Sequence, residues 1–304
     1  MTITNEALAE ECLARIGYYR LSAYWYPFRS STTSIDPLTG KRTTVIQDVF
    51  ETGASFNDAM EFYVFDKQLR LLVMDALERI EVSIRTEIAF LMGQYDGWAH
   101  RKPQFLHGNF TTKPAWIGAN MSRHAYWLSK VDEKCLKSKE DFAKHFKRKY
   151  TNDDMPIWVS VELWDFGTMS HFYSGMKVAD RDAIAKRYGN LNWKVFETWI
   201  RNLNDVRNIC AHHSRLLNRN MAAQPSWPKQ QDEPDLSHAV TTKNGLTRFY
   251  ASACILRKLL LSINPNSKWH DRFVNHMVSL PSIPKVTLQS AGFPINWETE
   301  AIWK

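Results

Sequence analysis

The feature that most restricts this chain is a long apolar stripe behind Ser55. Phe62, Phe65, Leu69, Leu72, Ala76, Ile80, Ile84 and Ile88 recur at three- and four-residue spacing over many turns, and this period fits a helix with one packed face and no strand. Ser55 with Asp58 three residues later reads as a capping box that starts it. Asp66, Arg70, Glu78, Glu81 and Arg85 fall on its far side, where a solvated face is the plain reading and a site-facing one the sharper.

The same period recurs elsewhere. Ala7, Leu8, Cys12, Leu13 and Ile16 predict a short amphipathic helix running into the aromatic stretch Gly17 to Pro27, with Pro27 closing it. Further helices are expected at about 122–149, 156–176, 180–188, 192–219, 244–263 and 267–279. Between them, 93–114 is punctuated by Gly and Pro and reads as irregular. Residues 30–54, rich in Ser and Thr with Asp36-Pro37 and Thr39-Gly40, read as a surface loop or loose hairpin, and no strand pattern is strong enough to build a sheet. Pro281, Pro284 and Pro294 make 280–304 an extended, irregular tail lying across the bundle. The expected fold is all-α, one helical domain over 1–304.

Composition narrows the partners. A net charge of +7 and a pI of about 9.1 favour a polyanion, and the basic residues are spread as on a folded, phosphate-gripping surface. Cys12, Cys135, Cys210 and Cys254 make no CxxC pair, so neither a zinc ribbon nor a disulfide framework is indicated, and the cytoplasm is the expected compartment. No apolar run approaches a membrane span, so no membrane is among the expected partners.

One segment carries candidate chemistry. Around the segment from Asn192 to Arg215, the apolar set Val195, Trp199, Leu203, Val206, Cys210 and Leu217 follows the helical period, and Asn208 and His212, four apart, share a face. Arg207 starts on the neighbouring edge, and its long side chain can reach the same space. A guanidinium stabilises charge growing on a phosphodiester, and an imidazole moves a proton near neutral pH. Asn208 would fix the His tautomer or the Arg rotamer. RNA's own 2′-hydroxyl would then be the nucleophile, giving a 2′,3′-cyclic phosphate with no cofactor and no metal.

The spacing alone is weak. Chance gives about two Arg-to-His pairs with four to six residues between them in such a composition, and three occur. They are Arg207 with His212, Arg207 with His213, and Arg101 with His107, the last in a loop without a helical face. Cys210 beside His212 and His213 could suggest zinc, but neighbours on one helix cannot surround an ion. A structural polar pair bridging helices is the bland reading of Arg207 and His212. The run Lys144 to Tyr150 is basic with interleaved aromatics, as an RNA-tracking surface or a plain amphipathic helix would be. Arg20 and Lys147 are the residues put forward as touching RNA.

The stretches Ile16 to Phe28, Tyr63 to Arg70, Ala76 to Thr86, Leu203 to Arg215 and Gly292 to Trp297 resemble, in order, the signatures of the Abi-type abortive-infection family (AbiD/AbiF-like). The resemblance implies a HEPN-like helical bundle with additional helices, its core at about 55–92 and 122–279. It also implies ribonuclease activity through an RNxxxH motif, with Arg207, Asn208 and His212 in the motif positions and His213 as the alternate histidine. A role as a phage-defence toxin restrained by a cognate small RNA or other antitoxin follows, as does a homodimer, because such sites pair two motifs. By the resemblance an extra helix is expected before Glu6, and a departure from the family pattern is expected there. The alternative is a catalytically silent RNA-binding or protein-binding module of the same fold.

Overall fold

A computed structural model describes residues 1–40, 42–151 and 153–304. Its α-helices are α1 (Glu6–Ile16), α2 (Tyr18–Trp25), α3 (Phe56–Tyr95), α4 (Gly108–Thr112), α5 (Arg123–Lys137), α6 (Asp141–Lys149), α7 (Ile157–Ser160), α8 (Phe166–Gly175), α9 (Val178–Lys186), α10 (Trp193–Ala211), α11 (His238–Thr241), α12 (Phe249–Ile263) and α13 (Trp269–Val278). The chain is mostly α-helical. Its strands among the described residues, β1 (Arg29–Ile35) and β2 (Arg42–Phe50), pair antiparallel.

The stripe behind Ser55 does form a single helix, α3, which spans 40 residues. The capping box is complete, with Asp58 N–H donating to Ser55 Oγ at 3.1 Å and Ser55 N–H to Asp58 Oδ2 at 3.3 Å. Phe62, Phe65, Leu69, Val73, Ile80, Ile84 and Ile88 are buried along it. Each contributes roughly 1.5–3 kcal/mol of transfer free energy. α2, α7, α10, α12 and α13 pack around this rod, and the buried apolar residues join in one cluster from Ala9 to Trp303.

Several sequence expectations need correction. Asp66 and Arg70 lie inside the core, not on a solvated face. The first helix breaks at Gly17, whose φ of 92° a side-chain-bearing residue rarely adopts, so the aromatic stretch forms a separate α2. The helix expected at 122–149 is interrupted between Lys137 and Asp141, and that expected at 244–263 begins only at Phe249. Of the two readings of 30–54, loop or loose hairpin, the hairpin forms, as a two-stranded antiparallel sheet that no strand pattern announced. It is exposed along nearly its whole length, so it lacks the buried face that produces alternation.

The tail is irregular but not extended. It coils through three 3-10 turns and buries Phe293, Trp297, Ile302 and Trp303. Trp303 stacks on Phe273 of α13, centroids 5.1 Å apart, while its indole N–H donates to the Tyr250 hydroxyl at 3.2 Å. Arg257 Nε donates to the Ile302 carbonyl.

Candidate active site

α10 is held at both ends. Asn192 caps its start, Oδ1 accepting the N–H groups of Lys194 and Val195 at 3.0 Å. Val195, Phe196, Trp199, Ile200, Leu203, Val206 and Cys210 bury one face, and the buried Asn202 amide is satisfied by Ala223 O and Ser252 Oγ. The helix stops at Ala211, short of the expected 219. His213 takes a left-handed conformation (φ 57°), its N–H donating to Cys210 O and that of Ser214 to Ile209 O, both at 3.0 Å. This is a Schellman closure with histidine where glycine is usual.

Beyond it the chain is anchored on α3. Leu216 and Leu217 are fully buried. Leu217 N–H donates to Asp66 Oδ1 at 2.7 Å, and Leu216 N–H reaches both carboxylate oxygens at 3.1 Å. The Tyr24 hydroxyl donates to Asp66 Oδ2 at 2.8 Å, and Arg70 pairs with the same oxygen. Arg70 also donates to Tyr24 Oη and to the Ser214 carbonyl. Burial pushes the Asp66 carboxyl upward, while Arg70, the two backbone N–H groups and Tyr24 act to lower it. So many donors on two oxygens give a carboxylate the satisfaction that burial demands.

The anchor places the residues between Ala211 and Leu216. A cavity of about 450 Å³ opens there, lined by Tyr19, Arg20, His212, His213, Arg215 and Arg219 among others. Arg20, on α2, donates to the His213 carbonyl at 3.1 Å. His212 and His213 are exposed. The structure thus brings Arg20, His212 and His213 together. Arg207 and Asn208, half-buried one turn earlier, do not line this cavity. Arg207 lies toward α3, near Glu81, whose carboxyl burial pushes up while Arg85 and then Arg207 act to lower it.

Among the described residues, the side chains of Arg207, Asn208, His212 and His213 make no hydrogen bond or ion pair within the chain. By contrast, Arg101 is engaged by Asp132 and Asp154, and His107 caps α4 through Nδ1. Lys147 donates to the carbonyls of Cys135, Leu136 and Ser138, closing the end of α5. Cys210 points into the core, its thiol pushed up to about 12 by burial. Among the described residues, no group of three or more His, Cys, Asp or Glu is placed to hold a metal ion.

The sequence reading missed Arg215 and Arg219 as cavity residues. Their signal was present: two further arginines follow the tandem histidines within six residues, outside any apolar period.

The Abi-like protein family model matches residues 11–218, which takes in α2, the whole of α3 and the α10 terminus. The chain belongs to the Abi-like family. Membership suggests a role in abortive infection and phage defence. The match ends at Asn218, so Arg219 lies just past the family region of this Abi-like chain. Searches of curated proteins and of solved structures gave no match. No helix among the described residues is long and apolar enough to cross a membrane.

Proposed function

We propose that this Abi-like protein is a metal-independent endoribonuclease of the HEPN type, acting in the cytoplasm as an abortive-infection toxin restrained by a cognate RNA or other antitoxin. His212 moves the proton between the substrate 2′-hydroxyl and the leaving 5′-oxygen, and Arg207 stabilises charge on the phosphoryl oxygens. Asn208 orients one or the other. The bond formed is 2′-O to phosphorus, the bond broken is phosphorus to 5′-O, and the product end is a 2′,3′-cyclic phosphate.

The observation that supports this reading is that the side chains of Arg207, Asn208, His212 and His213 make no hydrogen bond or ion pair among the described residues, with the two histidines on a cavity bordered by arginines. A structural pair bridging helices would have Arg207 and His212 hydrogen-bonded to neighbouring elements, and neither is. Because Arg207 does not line the cavity holding His212 of its own chain, a complete site calls for a second copy related by a twofold axis.

The test is incubation of the purified protein with labelled RNA in EDTA, beside an Arg207→Ala, His212→Ala double variant. Cleavage by the parent alone, with a cyclic phosphate end, is expected. Equal RNA binding and no cleavage by either protein would instead support the silent binding module.

A further inference from the structure

The cavity beside His212 has an unusual charge balance. It is lined by the guanidinium groups of Arg20, Arg215 and Arg219 and by two imidazoles, with no carboxylate in the lining. Among the described residues, none of these three arginines makes an ion pair. Arg215 Nη1 is buried and has no hydrogen-bond partner. Burial, with Arg219 and Arg248 nearby, pushes Arg215 below the usual guanidinium value, against the opposing pull of Asp66 and Tyr24. Asp66 cannot serve as its counter-ion at contact, because its oxygens are already taken by Leu216, Leu217, Tyr24 and Arg70.

A buried guanidinium N–H without an acceptor is costly, and an arginine stays charged inside a protein. A cluster with no internal anion is therefore built for an external one. Planar, multidentate donors select phosphate oxygens.

We propose that Arg20, Arg215 and Arg219 form a phosphate subsite next to His212 that takes the RNA phosphate neighbouring the scissile one. This rests on the ribonuclease reading for the identity of the scissile phosphate alone. The hydrogen bond from Arg20 to the His213 carbonyl ties the subsite to the imidazoles as one unit. Tyr19, 89% exposed on the rim, offers a ring for a splayed base, so the ligand is single-stranded RNA with at least two phosphates.

The experiment reads binding and cleavage separately. Binding is measured by fluorescence anisotropy with a labelled all-deoxy oligonucleotide, which keeps the phosphates and cannot undergo 2′-hydroxyl attack. Arg20→Ala and Arg219→Ala are each expected to weaken it about tenfold and to reduce the salt slope by about one phosphate. Lys186→Ala, at an exposed position of α9, serves as the control for simple loss of charge and should leave both values near those of the parent. Equal losses in Lys186→Ala and Arg219→Ala, or none in Arg219→Ala, overturn the subsite. Should Arg215→Ala fail to fold, the exposed Arg219 still decides. In cleavage, a methylphosphonate beside the scissile linkage should lower kcat/KM for the parent but have little further effect on Arg219→Ala. Loss of binding without any parental cleavage leaves the subsite standing and removes the nuclease reading; cleavage indifferent to the methylphosphonate does the reverse.

Discussion

Asp66 on α3 accepts a 2.7 Å hydrogen bond from the backbone N–H of Leu217, 151 positions further along the chain. This contact, with Arg70 and Tyr24 on the same carboxylate, holds the segment that carries His213 to Arg215. Asp66→Ala strands a buried guanidinium, so it should lower stability by roughly 3–5 kcal/mol. An Asp66→Leu, Arg70→Met double variant should recover little of that loss, because the Leu216 and Leu217 N–H groups and the Tyr24 hydroxyl stay buried without their acceptor. Urea unfolding midpoints compare them, and a wild-type midpoint for Asp66→Ala would sink the anchor.

The left-handed His213 separates the two histidines experimentally. His213→Gly relieves the backbone penalty and should raise stability by about 1 kcal/mol. With His212 as the proposed proton carrier, the proposed RNA cleavage should persist. If the variant melts higher but no longer cuts, His213 is the proton carrier instead.

His100 is fully buried, and neither ring nitrogen has a hydrogen-bond partner. Burial pushes its pKa from the ordinary 6.5 down to about 3. The unfolded chain therefore binds the proton more readily, and the neutral imidazole's contribution is complete above 6.5 and lost progressively as pH falls toward 3. At pH 5 this amounts to about 2 kcal/mol. Denaturant titrations at pH 7.5 and pH 5 should show a loss larger by that amount in the parent than in His100→Phe. Parallel losses in the two proteins would contradict it.

If the working site needs two copies, specific activity should fall on dilution once the protein drops below its dimer dissociation constant. Sedimentation at the same concentrations gives the comparison. Activity per chain that stays constant in a purely monomeric sample would falsify the composite site.

Much of this arrangement was legible in the residues. The stripe from Phe62 to Ile88 and the Ser55–Asp58 pair give α3 its length and start, and Asn192 gives the start of α10. Asp66 and Arg70 were misread because charge was weighted above position. Asp66 lies four residues after Phe62 and three before Leu69, so the helical period itself puts it on the buried face. The end of α10 was hidden because a left-handed closure is announced by glycine or asparagine, and here it falls on histidine. Of the residues put forward for RNA contact, Arg20 meets His213, a contact between positions 193 apart that no local pattern encodes. Lys147 is engaged with three carbonyls, a role visible only once α5 and α6 are folded together.

The carboxylate anchor also sets an order of events during synthesis. Tyr24, Asp66 and Arg70 leave the ribosome long before Leu216 and Leu217, so the Asp66 carboxylate lacks its backbone donors, and the loop bearing His213 and Arg215 is not held, until most of the polypeptide has emerged. A nascent chain lacks that geometry, so the cavity beside His212 takes its shape only late in synthesis.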